Sequence, residues 1–193
     1  MTEFEKKLLL TKKDYELLLA RFGCERTIKQ INSYFDTEDL AMNRENVTCR
    51  IRSKDGKYEG RMKRHAPNGD QSTEIKIKIY DGLRHNTFTD MGLKLQGSLT
   101  TERHVIQRCD GIEAVLDKNE YLDETDYELE VEYSPNQEKE AKALFDLFCS
   151  TLAQNQRTPK NQESYQSLSR IPSKSNRFFT KKTKTNATKT CAN

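Results

Sequence analysis

Charged side chains occupy every second position in several short segments of this sequence. Glu3, Glu5 and Lys7 do so within the first ten residues, where Phe4 and Leu8 are apolar neighbours. A β-strand sends successive side chains to opposite faces, so such a segment predicts a strand with one charged and one apolar face. Four further segments show the same alternation, with the charged sets Arg50–Arg52, Arg61–Lys63, Glu74–Lys76–Lys78 and Glu128–Glu130–Glu132.

The charges on three of these faces have a single sign. Three carboxylates share one face around Glu130, whereas Arg50 and Arg52 share another. Antiparallel strands commonly have one solvent-exposed face, and such a face is the simpler interpretation of any single segment. Like charges this close repel one another, however, unless opposite charges or bound ions compensate them. Taken together, the segments predict a closed barrel whose apolar faces lie under helices and whose charged faces line the interior.

The other segments predict the elements that would complete such a barrel. Residues 11–22 and 138–153 carry apolar side chains at helical spacing, and Thr11 with Asp14 forms a capping pattern before the first of them. Asp55-Gly56 is typical of a hairpin turn, and segment 81–97 fits a short helix or loops. The predicted fold class is therefore mainly β with flanking helices (α+β).

A charged interior of this kind favours a particular chemistry. Carboxylates are the hard oxygen ligands that Mg²⁺ and Mn²⁺ prefer, and the planar guanidinium of arginine matches phosphate oxygens. A metal ion and basic side chains together neutralise charge in phosphoryl transfer. The sequence contains no Gly-rich phosphate loop, which disfavours a P-loop enzyme.

Composition narrows the class of protein further. The 193 residues, of which 33% are charged and 34% hydrophobic, suit one domain. No apolar run approaches the roughly 20 residues of a membrane span and no signal-peptide core is present, so we expect a cytoplasmic protein without membrane contact. The five cysteines include no CxxC pair, which argues against a zinc site and a disulfide framework.

Basic residues are concentrated towards the C-terminus. No acidic residue follows Glu163, although the net charge of the whole chain is only +3. Such a segment predicts a basic, disordered tail, with nucleic-acid contact as the weaker interpretation. Its basic residues are Arg170, Lys174, Arg177, Lys181, Lys182, Lys184 and Lys189.

The ordered set of motifs resembles a known family. Glu3, Glu5 and Lys7 form an ExExK motif, which is followed by YFDT at residues 34–37. The RIR strand, KYEGRMK, GSLTTER and VLDKNEYLDETDYELEVE come next along the chain. From residue 3 to about residue 152 this order is similar to that of the CYTH, or triphosphate tunnel metalloenzyme, family, and especially to its bacterial inorganic-triphosphatase-like members.

The resemblance implies an eight-stranded antiparallel barrel that forms a tunnel, in which a triphosphate is hydrolysed with Mg²⁺ or Mn²⁺. It implies metal ligands at Glu3, Glu5, Glu128, Glu130 and Glu132, of which Glu5 and Glu130 are also predicted as catalytic. It further implies phosphate contacts at Lys7, Arg50, Arg52, Arg61, Lys63 and Arg103, with Glu74 and Asp117 as supporting acids.

Two positions depart from the family pattern. Some relatives carry a lysine two residues before Arg103, where this chain has Thr101, so the general base is unassigned and Lys76 is a hypothesis for it. The family often ends with a Lys-x-x-Arg-Phe segment that closes the tunnel. SKSNRFF matches it and supplies Lys174 and Arg177 as further substrate contacts, but here the segment follows an unusually long polar linker. The predicted boundaries are 1–153 for the tunnel domain, 154–172 for a polar linker, 173–179 for the closing segment and 180–193 for the disordered tail.

The expected function is hydrolysis of inorganic tripolyphosphate or of a nucleoside triphosphate. Two alternatives stay open: an adenylate cyclase or thiamine triphosphatase of the same family, and a non-catalytic module that binds polyphosphate or nucleotide. The expected partner is a triphosphate-containing small molecule, bound by a monomer or a homodimer. The motifs indicate residues that bind phosphates, but they do not show which group those phosphates are attached to.

Overall fold

Eight β-strands and five α-helices make up the described part of the chain. The structure is a computed structural model that describes residues 2–65, 71–77, 86–155 and 172–190. The strands are β1 Thr2–Leu10, β2 Arg26–Asp36, β3 Val47–Lys54, β4 Lys57–His65, β5 Gln71–Ile77, β6 Lys94–Cys109, β7 Ile112–Tyr121 and β8 Glu124–Tyr133. The helices are α1 Lys12–Phe22, α2 Ala41–Arg44, α3 Asn86–Thr89, α4 Glu138–Asn155 and α5 Lys174–Thr190.

The strands form a ring in the order β1-β5-β4-β3-β2-β6-β7-β8, with antiparallel neighbours throughout. β1 completes the ring, since it pairs with β8 from Phe4 to Leu10 and with β5 from Thr2 to Phe4. The predicted eight-stranded antiparallel barrel with flanking helices is confirmed. Its closure is weaker than predicted, because the described part of the β1–β5 seam is only three residue pairs long.

The barrel carries its charges inside and its main apolar core outside. In β1, Glu5 and Lys7 line the interior, whereas Leu8 packs outward against Leu18 of α1 and Phe148 of α4. This is the polarity that the alternating segments predict, because the two helices cover the apolar faces of the strands. A second outer cluster covers β2 and β3 and consists of Phe35, Val47, Cys49, Ile51, Phe88 and Leu93.

Local signals in the sequence determine where α1 and α4 begin and end. Thr11 Oγ1 accepts a hydrogen bond from the backbone N–H of Asp14 at 3.2 Å, which satisfies one free donor of the first turn. Gly23 ends α1 with φ 75°, a left-handed conformation that glycine adopts without strain. The helix predicted over 11–22 is confirmed, and the one predicted over 138–153 continues as α4 to Asn155.

The β3–β4 hairpin is also confirmed. Asp55 and Gly56 form its turn with φ values of 51° and 72°, and two consecutive left-handed residues give the twist that a two-residue hairpin needs. In the ambiguous segment 81–97, the described residues form α3 and the start of β6. The rest of that segment, 81–85, lies outside the described residues.

The C-terminal segment differs from its prediction. In place of a disordered tail over 180–193, α5 continues as a helix to Thr190, and only 191–193 lie outside the described residues. Phe178 and Phe179 anchor this helix, because both are buried against Tyr34 and Leu99 at one end of the barrel. These partners are distant in sequence, so charge and composition alone did not reveal the packing.

The polar linker predicted over 154–172 overlaps the last turn of α4, and its residues 156–171 lie outside the described residues.

Helix α4 is amphipathic, with Ala141, Phe148 and Leu152 buried against the barrel. Among the helices that the structure describes, none combines the length and the apolar character needed to cross a membrane.

Candidate active site

The inward faces of the strands enclose a cavity of about 590 Å³. At one end the cavity reaches the β3–β4 hairpin, where Arg26, Lys54 and Lys57 form its rim. At the other end it reaches Lys174, the first residue of α5, and Phe178 fills the barrel beyond that point. The cavity is therefore approached from the hairpin end and stopped by α5.

Four cations project into the cavity from β3 and β4, which we call the basic wall: Arg50, Arg52, Arg61 and Lys63. Arg61 Nη1 donates to Glu74 Oε2 at 2.8 Å, and Arg50 Nη2 lies 3.3 Å from the other oxygen of Glu74. Arg61 also binds Glu59 through Nε and Nη2, at 3.0 and 2.6 Å. Glu74, buried on β5, thus holds two guanidiniums side by side.

Arg52 is the cation of this wall with the least compensation. Its Nε donates to the Asn32 side-chain oxygen at 3.0 Å, and no described carboxylate forms an ion pair with it. Burial, together with repulsion from Arg50, Arg61 and Arg103, lowers the pKa of Arg52 to about 9. A guanidinium in this environment is stabilised by an added anion.

Three carboxyl groups meet on the opposite side of the cavity, on β1 and β8. The Glu130 side chain lies close enough to those of both Glu5 and Glu132 to influence their protonation. Burial and the adjacent Glu130 raise the pKa of Glu5, although Lys7 opposes them. The same two causes raise the pKa of Glu132 to about 7. Carboxyl groups this close share protons unless a cation compensates their charge.

Arg103 and Lys7 provide part of that compensation. The Arg103 guanidinium donates from Nε and Nη2 to both oxygens of Asp117, at 2.9 and 2.8 Å, and reaches Glu130 at 3.1 Å. Lys7 Nζ lies 2.8 Å from Glu5 Oε1 and 3.9 Å from Glu130 Oε1. Asp117 is completely buried, so this two-point contact fixes the orientation of Arg103.

The first residue of α5 supplies another cation. Lys174 Nζ lies 2.8 Å from Asp117 Oδ2, 3.2 Å from Glu128 Oε2 and 2.7 Å from Glu130 Oε2. These three carboxylates raise the pKa of Lys174, although burial opposes its charge. Burial likewise disfavours ionised Glu130, but three cations hold its pKa well below the usual range: Lys174, Lys7 and Arg103.

The next turns of α5 continue this pairing along β8. Arg177 donates to both oxygens of Asp126, at 2.9 and 3.2 Å, and to Glu128 at 2.8 Å. Lys181 forms an ion pair with Glu124 one turn further on. Sequence reasoning did not identify Asp126, although it continues the alternation of the β8 carboxylates. Three basic residues of α5, Lys174, Arg177 and Lys181, therefore bind acidic residues of the same chain.

The acidic side of the cavity has the donor chemistry of a divalent-cation site. Glu5, Glu130 and Glu132 supply hard oxygen atoms, and their contacts with one another favour a shared cation. In the part of the chain that the structure describes, no group of three or more His, Cys, Asp or Glu side chains is arranged to hold a metal ion. The side chain of Glu3 lies outside that part. Here the nearby positive charge comes from Lys7, Arg103 and Lys174.

Most predicted site residues lie together, with one exception. Lys76 has a side chain that is 61% exposed, and it forms an ion pair with Glu59 at the rim rather than with the acidic side of the cavity. Thr101 is buried and donates to the side-chain oxygen of Asn119 at 2.7 Å. The predicted residues that line the cavity with Lys76 are Glu5, Lys7, Arg50, Arg52, Arg61, Lys63, Arg103, Glu130, Glu132 and Lys174. Glu74, Asp117 and Glu128 contact these residues directly, and Arg177 contacts Glu128.

Two buried donors in this region have no hydrogen-bond partner among the described residues: Arg50 Nε and the Tyr34 hydroxyl. Tyr34 lies directly opposite Arg50 on the neighbouring strand. Burial raises the pKa of Tyr34 against the influence of Arg50 and Lys174, so the hydroxyl keeps its proton. Sequence reasoning missed Tyr34 as a site residue, although it stands in the YFDT motif. Buried donors of this kind need an acceptor from a ligand or from water.

Comparison with known proteins identifies the family. The family model described as "CYTH domain" matches residues 1–162. The chain belongs to the CYTH domain family. It is similar to the Bacillus subtilis (strain 168) protein named "Putative triphosphatase YjbK", with 29% identity over 175 residues, which cover 82% of this chain and 90% of that protein.

The CYTH fold of this chain is also found in solved structures. A crystal structure named as that of a "putative adenylate cyclase" from Bacillus halodurans is similar with a TM-score of 0.61 and 25% identity, covering 83% of this chain and 96% of the other. The Hippeastrum protein named "Putative adenylyl cyclase HpAC1", whose description reports a dominant triphosphatase activity, has a TM-score of 0.61 and 20% identity, covering 88% and 98%. These likenesses confirm the predicted family and fold.

Proposed function

We propose that this CYTH protein hydrolyses a phosphoanhydride bond of a triphosphate with the help of a divalent cation. The observation that carries the proposal is Arg52, a partly buried guanidinium that has no ion pair with a described carboxylate. The unpartnered Arg50 Nε and the Tyr34 hydroxyl lie next to it on β3 and β2. A bound phosphate chain supplies both the negative charge and the acceptors that these groups lack.

The two sides of the cavity have different roles in this proposal. On the basic wall, Arg50, Arg52 and Lys63 bind phosphate oxygens. On the other side, the carboxylates of β1 and β8 would hold the divalent cation, which when bound supplies positive charge to the terminal phosphoryl group. Lys7 and Arg103 lie beside those carboxylates and bind the same end of the phosphate chain. The proposed cation ligands are Glu3, Glu5, Glu130 and Glu132, with Glu128 alongside.

Buried acids orient the cations that bind phosphate. Glu74 binds Arg50 and Arg61, and Asp117 binds Arg103 at two points. Each contact reduces the number of conformations available to a long side chain, so less entropy is lost when the phosphate binds. The substrate we propose is tripolyphosphate or a nucleoside triphosphate, and the name of the B. subtilis relative supports this class.

The test is phosphate release from tripolyphosphate by the full-length protein. We expect activity with Mg²⁺ or Mn²⁺ and none with excess chelator. Arg52→Gln should lower kcat/KM by roughly 10- to 150-fold, which corresponds to the loss of one charge-assisted hydrogen bond. Arg44→Gln is the matched control, because Arg44 is exposed on α2 and outside the cavity. Activity that survives chelation, or that Arg52→Gln leaves unchanged, contradicts the proposal.

A cyclase reaction is the second candidate, because the B. halodurans structure at 25% identity is named as an adenylate cyclase. The same cations could hold the triphosphate of ATP, but cyclisation releases pyrophosphate and cyclic AMP instead of phosphate. Measuring both products in one ATP reaction separates the two activities. Tight binding of tripolyphosphate with neither product, at saturating metal, would instead indicate a non-catalytic binding module.

A further inference from the structure

A separate cluster of reactive groups lies on the outer face of the barrel, where β2 begins beside β6. Cys24 Sγ is 3.5 Å from both His104 Nδ1 and Thr27 Oγ1, and Thr27 Oγ1 is 3.0 Å from the same nitrogen. His104 Nε2 is 3.2 Å from Glu102 Oε1. Because Arg103, between the two, points into the cavity, Glu102 and His104 point away from it. A thiol, an imidazole and a carboxylate therefore stand in series outside the candidate active site.

The carboxylate of Glu102 determines which nitrogen of His104 carries a proton. An ionised carboxylate only accepts hydrogen bonds, so Nε2–H is the donor in this contact. In the neutral ring, Nδ1 is then the acceptor, and it faces the thiol of Cys24 and the hydroxyl of Thr27. A nucleophile, a base and a group that orients the base are the three parts of an activated cysteine.

The backbone holds these groups in place while leaving the sulfur accessible. Thr27 and His104 are directly paired residues of β2 and β6. Gly23, with φ 75°, turns the chain out of α1 and places Cys24 just before β2. The ring of Tyr15 lies 6.1 Å from that of His104 in an edge-on contact. Cys24 is exposed, whereas only 13% of the His104 side chain is exposed.

None of the other described cysteines has these neighbours. Burial raises the pKa of Cys49 and of Cys149, each to about 11, which keeps both in the unreactive thiol form. Cys109 is exposed like Cys24, but its thiol forms no hydrogen bond with any described residue. Cys109 is therefore a matched internal control for the reactivity of an exposed thiol in this chain.

We propose that Cys24 is a reactive thiol that undergoes exchange with small-molecule disulfides. His104 Nδ1 takes the thiol proton, and the Cys24 sulfur attacks one sulfur of the disulfide. The S–S bond of the reagent breaks, a mixed disulfide forms on Cys24, and the departing thiolate takes a proton from the imidazolium. The disulfide is the oxidant, and one small thiol is released for each protein thiol modified. The reaction is independent of the proposed phosphate chemistry.

The groups around this cluster determine how its reactivity depends on pH. Burial and the nearby Glu102 raise the pKa of Tyr15, so its hydroxyl stays neutral between pH 6 and 8. Within this range, His104 and Cys24 are therefore the groups whose protonation the proposal uses. The other titratable or charged residues that face the cluster are Tyr127 on β8, Lys29 on β2, Lys118 on β7, and Glu25 next to Cys24.

Activation of a thiol has a measurable pH signature. An imidazole that takes the thiol proton supplies thiolate at pH values at which an ordinary thiol, with a pKa of about 8.5, is almost entirely protonated. The advantage over an ordinary thiol grows as the pH falls, which greater accessibility alone would not produce.

The experiment measures modification of each cysteine in the full-length protein by oxidised glutathione, using peptide mass spectrometry at pH 6, 7 and 8. We expect the rate ratio of Cys24 to Cys109 to exceed one at pH 7 and to be several-fold larger at pH 6 than at pH 8. His104→Gln should bring the ratio close to one at every pH. Glu102→Gln removes an exposed charge and should shift the pH dependence towards that of Cys109 while leaving Cys24 accessible.

Three results would overturn the proposal. One is a ratio near one at all pH values in the unsubstituted protein. Another is a ratio that does not change with pH, which indicates accessibility alone. The third is a ratio that both His104→Gln and Glu102→Gln leave unchanged. Because Glu102 is half-exposed at the surface, its variant tests the idea even where the His104 variant does not fold.

Discussion

Replacing Lys174 with methionine tests how strongly the start of α5 stabilises the barrel. Lys174 Nζ contacts Asp117, Glu128 and Glu130 within 3.2 Å, and its side chain is only 12% exposed. Methionine has a similar volume and no charge, so Lys174→Met leaves three buried carboxylates with one cation fewer. Removing one partner from a buried ion pair costs about 3–5 kcal/mol. For a chain of this size, that lowers the melting temperature by roughly 6–20 °C.

The size of this effect depends on pH in a defined direction. The pKa values of Glu130 and Asp117 lie below their usual values of 4.5 and 3.8, so their stabilising contribution is complete above about pH 5 and is lost as the pH falls through the lowered values. The pKa of Lys174 is raised, so its contribution is complete below 10.5 and is lost as the pH rises through the raised value. Lys174→Met should therefore destabilise the protein most between about pH 5 and 10.

Urea unfolding of the variant and of the unsubstituted protein, from pH 7 down to pH 3, provides the measurement. Lys181→Met is the matched control, because Lys181 lies on the same helix and pairs with Glu124, whose side chain is 48% exposed. An exposed pair of this kind contributes about 1 kcal/mol or less. If both variants lose the same free energy of unfolding, or if the loss for Lys174→Met is equal at pH 3 and pH 7, the ion-pair reasoning is wrong.

Two further substitutions test how α5 and α1 are held. Gly97→Ala should lower the free energy of unfolding by about 1–3 kcal/mol, for two reasons. The new Cβ would lie 2.7 Å from Phe178 Cζ, and the backbone φ of 144° at this position is strained for a residue with a side chain. Thermal unfolding measures this, and the loss should shrink in a Phe178→Ala background. Thr11→Ala should lower the free energy of unfolding by about 1 kcal/mol, because it removes the N-cap hydrogen bond of α1. Thr11→Ser keeps a hydroxyl at this position and should retain most of that stabilisation. Equal melting temperatures for both Thr11 variants would contradict this.

The architecture follows from patterns that act over short distances in the sequence. The alternation around Glu130 identifies both the face and the charge of β8, because strand geometry has a period of two residues. The cap at Thr11 and the turn at Asp55-Gly56 depend on neighbouring residues alone, so their positions were also predictable. The apolar outer faces then required covering helices, and the stripes of α1 and α4 supplied them.

The errors concern contacts between distant segments. Alternation gives the face of a side chain but not its neighbours, so Lys76 and Lys63 looked equivalent although Lys76 lies at the exposed rim and Lys63 is buried. It could not show that Arg61 binds two carboxylates while Arg52 binds none of those described. Helix α5 was missed because Phe178 packs on residues of β2 and β6, and no local pattern encodes that contact.

The position of β1 in the ring also determines when the carboxyl groups can meet. β1 comes first among the strands, yet its partners are β5 and β8, so Glu5 contacts Glu130 only after the last strand has joined the sheet. Lys174, which also contacts Glu130, lies on α5 and therefore follows all eight strands in the sequence. Joining distant segments costs loop-closure entropy before the new contacts form, so this pairing is slow compared with the hairpins. A partly folded chain therefore lacks the carboxyl group that β1 contributes, and the complete set is assembled only with the completed ring.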